Sequence, residues 1–344
     1  MTQDATMRLA RALRRVRIAL PGVRWLGLQD EDGQSLRHLI KACYADTYSY
    51  KTLYEPGGLE GLWDSGALLS LGEFSRQGEL IGHTGFWTKD PGLDYLESGL
   101  SLVSPSRRQG LRVDYQRVWR PLLEALGQHV SYVHQNTTTL HPMAQFYALK
   151  HMKARPTGFI PWYAHGERVM GLSESGAVMH ALSMTTPLGS EAALPVVAPR
   201  SPWRPWLKAV AQGAGLTVEG DEGPRWSGQA RVDSIERNGA LRLLRHAIKG
   251  GEDGLDDVLP GLGGARVQIV HVPAVSGLSG LFDALLTRGF VPTGVRPHKR
   301  RAHEWTLQRV PDPQALSGLG EVQLATEGLR SLWQDWRERC AHTL

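Results

Sequence analysis

The chain carries a repeat, and the repeat limits what it can fold into. Val130-Ser-Tyr-Val-His134 returns 137 residues later as Val267-Gln-Ile-Val-His271, and Pro156-Thr157-Gly158 returns 136 residues later as Pro292-Thr293-Gly294. Each copy places a strand, a helical pattern and a Pro-Thr-Gly strand start in the same order, with a gap of one residue between copies. Recurrence of a whole supersecondary unit at this period implies two structurally related halves within the 344 residues. Only the first copy is preceded by an arginine–glycine turn.

Period and punctuation place the elements. In the first half, short strands are expected at Val23–Leu28, Leu68–Phe74, Glu79–Thr88 and Leu93–Val103. Helices are expected at 31–46, after Gly110 (Leu111, Tyr115, Val118 and Leu122 at spacings of 4, 3 and 4) and at 142–152. Pro187–Pro205 is rich in proline and small residues, as a connecting segment would be. In the second half the pattern resumes with a helix carrying Trp203, Trp206, Leu207 and Val210. It continues with strands at 267–272, 290–295 and 304–310 and a helix at 276–288. A last helix near 320–340 carries Leu329, Leu332, Trp333 and Trp336 on one face, read as an internal packing stripe. The expected organisation is a basic amphipathic helix (1–22), a first domain (23–178), a connecting segment (179–205), a degenerate second half (206–311) and a C-terminal helix (312–344).

Composition excludes several classes. No apolar run approaches the roughly 20 residues that a transmembrane helix needs. The two cysteines, Cys43 and Cys340, have neither disulfide-framework nor metal-ligand spacing, so no metal is expected and a reducing cytoplasm is the expected location. The net charge of +5 is mild for this length. It permits an anionic partner, but no nucleic-acid-binding module accompanies it. Positive charge is concentrated at the N-terminus, where Arg8, Arg11, Arg14, Arg15 and Arg17 interleave with Leu9, Leu13, Val16 and Leu20. Such a helix either packs on its own domain or docks an acidic carrier protein or another anionic partner.

The chemistry-bearing stretch is Val103-Ser104-Pro105-Ser106-Arg107-Arg108-Gln109-Gly110-Leu111. A strand ends there, a turn with two arginines and a glycine follows, and a helix begins. Backbone N–H groups at a helix start have no partners within the helix and lie at the positive end of its dipole, which suits them to a pyrophosphate. Gly110 would let backbone approach the phosphates, and Arg107 or Arg108 would add charged hydrogen bonds.

Strand, Val103-Ser-Pro105, Arg107-x-x-Gly110-Leu111 and helix together resemble the acyl-CoA loop of the GNAT superfamily of N-acyltransferases. The run Asn136-Thr-Thr-Thr-Leu-His141-Pro142-Met-Ala-Gln145 resembles a bacterial branch of that superfamily, as do Cys43–Tyr50, Tyr54–Leu59 and Gly289–Pro297. The resemblance spans about Val23 to Val310. It implies a GNAT fold, a mixed and mostly antiparallel sheet flanked by helices, followed by a degenerate GNAT-like half. It also implies acetyl-CoA or a longer acyl-CoA as co-substrate, held by Val103, Arg107, Arg108, Gln109, Gly110, Leu111 and Arg112. Pantetheine would lie between two splayed strands, 93–103 and 130–139. Arg112, Pro121 and the pair His151-Met152 depart from the family pattern.

Acyl transfer to an amine needs a neutral nucleophile, a stabilised oxyanion and a proton for the leaving thiolate. Tyr147, four residues before His151, matches the tyrosine that many GNAT enzymes use to protonate the thiolate. Glu97, inside an apolar strand, is the candidate base, with His141 and then His83 as further bases. The expected function is acyl transfer from acyl-CoA to an amine of a small molecule or peptide. The rivals are a GNAT-like protein without turnover and an acyltransferase fed by an acyl carrier protein.

Overall fold

The computed structural model describes residues 3–16, 21–88, 95–107, 115–164, 169–170, 179–189, 193–224, 229–238, 243–249, 253–259, 267–298, 302–309 and 322–343. The chain begins with helix α1 (Gln3–Arg14), strand β1 (Val23–Trp25) and helices α2 (Asp32–Tyr44) and α3 (Gly58–Asp64). It continues through β2 (Leu68–Phe74), β3 (Leu80–Trp87), β4 (Tyr95–Val103), α4 (Tyr115–Leu126), β5 (Tyr132–Thr138), α5 (Met143–His151), β6 (Arg155–Ala164) and β7 (Met179–Pro187). A short strand β8 (Val196–Ala198), helix α6 (Arg204–Gly213) and strand β9 (Val218–Gly220) follow. The rest of the chain is β10 (Arg231–Asn238), β11 (Leu243–Lys249), α7 (Leu255–Val258), β12 (Val267–Pro273), α8 (Ser279–Thr287), β13 (Val291–Pro297), β14 (His303–Arg309) and α9 (Glu327–Thr343).

Twelve strands form one sheet in the order β1-β2-β3-β4-β5-β7-β6-β13-β14-β12-β11-β10. The order is palindromic in kind. In the first half β4 and β5 run parallel and β7 inserts antiparallel between β5 and β6. In the second, β11 and β12 run parallel and β14 inserts between β12 and β13. The repeat is therefore structural, and its two Pro-Thr-Gly segments meet at the centre. β6 and β13 pair antiparallel at Gly158 and Gly294, and each strand carries a bulge at its own Pro-Thr-Gly. A Cβ on either glycine would overlap the threonine carbonyl of the opposite segment, so the two halves touch backbone to backbone there.

Alternation along the strands sends two sets of side chains to opposite faces. Leu96, Val133, Leu182, Met184 and Phe159 join the larger core with α4, α5, α6 and α9. A second core on the other face buries Leu36, Leu39 and Ile40 of α2 against Leu68, Leu80 and Leu100. α4 runs through Pro121 without ending there.

Two expectations need correction. The span 179–205, expected as a connecting segment, contains β7, a full strand of the sheet, together with β8. Each residue of β7 except the last is buried on both faces of the sheet, so polar and apolar positions lose the alternation that marks a strand in sequence. β10 and β11 were absent from the expected elements. The N-terminal helix packs on its own domain, one of the two roles open to it: Ala10 and Leu13 belong to the main core, Val16 packs against it, and Arg14 Nη2 donates to the carbonyl of Trp63 at 3.0 Å. The C-terminal helix is likewise internal. Trp333 stacks on Trp336 and meets Phe159 of β6 edge-on, and the Trp336 indole donates to the Pro292 carbonyl of β13 at 2.6 Å. α9 thus clamps both strands of the central contact. No helix among the described residues is long and apolar enough to cross a membrane.

Candidate active site

Parallel pairing of β4 with β5 runs from Tyr95↔Tyr132 to Ser98↔Gln135 and ends there. Beyond it β4 stays with β3 as far as Val103, and β5 stays with β7 as far as Thr138. The two strands therefore part, leaving a wedge between their C-terminal ends.

The wedge is shaped by a bulge in β4. His83 pairs with Leu102 but Gly85 with Gly99, so Leu100 and Ser101 together face Thr84. Leu100 sits in the left-handed region at φ +54°, a conformation that costs a non-glycine residue about 1–2 kcal/mol. His83 helps hold it there, its Nδ1 lying 2.7 Å from the Leu100 carbonyl oxygen, so Nδ1 carries the proton. His83 is buried, and desolvation pushes its pKa down to about 4. The side chain considered as a base is thus a clasp for the bulge.

Glu97 lies one residue before the splay. Its register partner is His134, whose Nδ1 is 3.0 Å from Thr185 Oγ1. The second half repeats the arrangement: His271 Nδ1 is 3.1 Å from Thr306 Oγ1, and the residue paired with His271 is Ala247. One cavity collects both copies. Glu97, His134 and Asn136 line it from the first half, and His271, Arg296 and Thr306 from the second. Its volume is about 30 Å³, room for one or two water-sized groups. Arg296 enters already neutralised, donating from Nε and Nη2 to Glu304 at 3.0 and 2.8 Å. His134, His271 and Arg296 were not singled out as site residues. The signal for the histidines was the repeat itself, in which each matched five-residue string ends on histidine.

The other expected residues fall elsewhere. Tyr147 projects from α5 into the helix-covered face, its ring 6.1 Å from Trp119 and 5.1 Å from His151. It is on the opposite side of the sheet from Glu97. His141 lies in the turn between β5 and α5 and does not line the Glu97 cavity. Gln145 proves to be a fastener: buried, it donates to the carbonyls of Thr138 and Gln323 and accepts from the Ala325 amide. Val103 ends β4, its carbonyl accepting from the Cys43 thiol at 3.4 Å. Arg107 closes a short turn, Pro105–Arg107, with its amide bonded to Ser104. Burial raises the Glu73 carboxyl pKa, and the charge of Arg107 partly offsets this. Arg108, Gln109, Gly110, Leu111 and Arg112 lie outside the described residues.

A parallel β4–β5 pair that splays beside a bulge, with β7 inserted before β6, decides the architecture. The first half is a GNAT fold. The second half shares the GNAT strand order, but between β11 and β12 the helix has four residues, where α4 has twelve. No family model and no curated protein sequence matches the chain. Among solved structures, the chain is similar to a ribosomal-protein-S5-alanine acetyltransferase from Vibrio fischeri (11% identity, 50% of this chain and 96% of that one, TM-score 0.38). An aminoglycoside 6'-N-acetyltransferase complexed with coenzyme A aligns at 13% identity over 49% of this chain and 98% of that one, TM-score 0.32. A spermidine/spermine N-acetyltransferase from Vibrio cholerae aligns at 14% identity over 48% and 93%, TM-score 0.36. Each covers about half of this chain.

Two histidines set a pH dependence. Burial lowers the pKa of both His83 and His180 to about 4, against 6.5 when unfolded. Between pH 6.5 and 4 the unfolded chain takes up protons that the GNAT fold refuses, so stability falls as pH drops through that window. At pH 5 the loss is on the order of 2 kcal/mol for each histidine. Melting temperatures of the wild type and His83→Gln between pH 7 and 5 check this. The variant is expected to start lower and to lose less on acidification.

Proposed function

We propose that this protein transfers an acyl group from acetyl-CoA or a longer acyl-CoA to the amine of a small molecule or peptide. The observation that carries the reading is the placement of Glu97 at the mouth of the β4–β5 wedge, on the wall of a cavity. The pantetheine arm would enter the wedge from the arginine–glycine turn that ends β4, bringing the thioester carbonyl to the bulge. The bulge leaves a backbone amide outside the β3–β4 ladder, suited to receive the developing oxyanion.

The acceptor amine would come from the cavity. Its nitrogen lone pair attacks the thioester carbon, and its proton passes to Glu97. Collapse of the tetrahedral intermediate restores the carbonyl and expels the CoA thiolate, which takes a proton to leave as thiol. Tyr147, on the helix-covered face of the sheet, is the proposed donor, so acid and base would act from opposite sides of the sheet. A cavity of about 30 Å³ admits an unbranched amine terminus and leaves the remainder of the acceptor outside.

Calorimetric titration with CoA tests the cofactor half of the reading. Gly110→Asp places bulk and negative charge where phosphate would approach, so affinity for CoA is expected to vanish while the melting temperature stays near that of the wild type. Unchanged affinity in the variant would place the cofactor elsewhere.

A further inference from the structure

A larger cavity, of about 400 Å³, lies beside the one that holds Glu97. It opens at the start of β5 and β6 and the end of β7, against residues 214–216 after α6. Its wall toward the Glu97 cavity is one side chain thick: Thr157 lines both spaces, and Thr185 on this side is hydrogen-bonded to His134 on the other.

The repeat shows what is special about this cavity, because the two halves differ here. Thr157 and Thr293 are equivalent and both are buried. The Thr293 hydroxyl donates to the Thr306 carbonyl at 3.3 Å, whereas the Thr157 hydroxyl makes no hydrogen bond among the described residues. A buried hydroxyl left without a partner costs about 1–3 kcal/mol. Two residues earlier the halves differ again: Arg155 stands where the second half has Val291, a core residue. Arg155 Nη1 donates to the Ala214 carbonyl at 3.3 Å, and a Cβ at Gly215 would overlap the guanidinium, so glycine there lets the arginine lie across the opening. His303, edge-on to Tyr132 with ring centroids 5.5 Å apart, adds a second basic side chain. No aspartate or glutamate is among the described lining residues.

We propose that this cavity is a binding site for a small organic anion, a carboxylate or a phosphate monoester. Its charged group would meet the Arg155 guanidinium, and the Thr157 hydroxyl would complete its hydrogen bonds. A guanidinium presents paired N–H groups that match either anion. The volume suits a compact metabolite, and Leu216, Ala193 and Ala214 offer it an apolar wall. The inference does not need the acyl-transfer reading: Thr157 borders both cavities, but Arg155, which would carry the anion's charge, does not line the Glu97 cavity.

The test is calorimetric titration and thermal denaturation of the wild type, Arg155→Val and Arg155→Lys with inorganic phosphate, butyrate and, as the uncharged counterpart, 1-butanol. Arg155→Val copies the residue of the second half. Saturable binding of phosphate or butyrate to the wild type is expected, about tenfold or more weaker in Arg155→Val and partly retained in Arg155→Lys. Butyrate alone would assign a carboxylate ligand and phosphate alone a phosphate monoester. Phosphate bound at any other place would be indifferent to Arg155. The proposal is overturned if neither anion binds, if Arg155→Val binds as the wild type does, or if butanol equals butyrate.

Discussion

Alanine at Gly158 or at Gly294 is expected to destabilise the whole protein by about 3 kcal/mol or more. At each position the new methyl group would meet a backbone carbonyl, that of Thr293 or Thr157, which cannot swing aside as a side chain could. Gly158 also holds φ +148°, a region that L side chains rarely adopt. Relief would require β6 and β13 to move apart, and α9 opposes that by packing Trp333 on Phe159 while Trp336 is hydrogen-bonded to the Pro292 carbonyl. Gly289→Ala is the control. Gly289 has φ +77°, but nothing lies within 4 Å of a Cβ there, so only the conformational cost of about 1–2 kcal/mol applies. Urea unfolding of the three variants separates the two costs. If Gly158→Ala were no worse than Gly289→Ala, the halves would not be in backbone contact.

Glu97→Gln is expected to lower kcat by roughly 10²–10⁴-fold, the usual contribution of a general base. Acyl-CoA affinity and melting temperature should stay unchanged. The replacement keeps shape and hydrogen-bonding capacity and removes only the ability to accept the amine proton. The second half can be tested through His271, which lines the same cavity but lies far along the chain from the cofactor turn. His271→Asn is expected to raise the acceptor KM more than it lowers kcat, because its side chain forms a wall of the acceptor space. Single-turnover kinetics with an amine panel, with slow acyl-CoA hydrolysis as the readout where no acceptor is found, would measure both. Wild-type kcat in Glu97→Gln would remove Glu97 from the mechanism.

Much of the first half was legible in sequence, because periodicity and turn residues are local. β2 was expected at its observed bounds, and α2, β3 and α5 within two residues at each end. The repeat identified two related halves from a handful of residues. Strand β7 was not legible, since a strand buried on both faces loses its alternation. Gln145 was noticed as part of a motif, but its partners Gln323 and Ala325 lie some 180 residues away. No local pattern could announce that clasp. Nothing adjacent to His83 in sequence marks its role, which rests on burial and on its bond to the Leu100 carbonyl, 17 residues away.

The sequence by itself determined the elements of the first half as far as α5, the duplication, and the residue types at the end of β4, because each of these is written in neighbouring positions. Only the tertiary structure decided that the two Pro-Thr-Gly segments would meet. It alone put Glu97, His134 and His271 on one cavity, turned Tyr147 to the other face, and left Thr157 without the partner that Thr293 has. The physical reason is that these depend on how the two halves of a twelve-stranded sheet join at its centre. That junction is set by bulges, close glycine contacts and the clamp of α9, whose partners are distant in sequence.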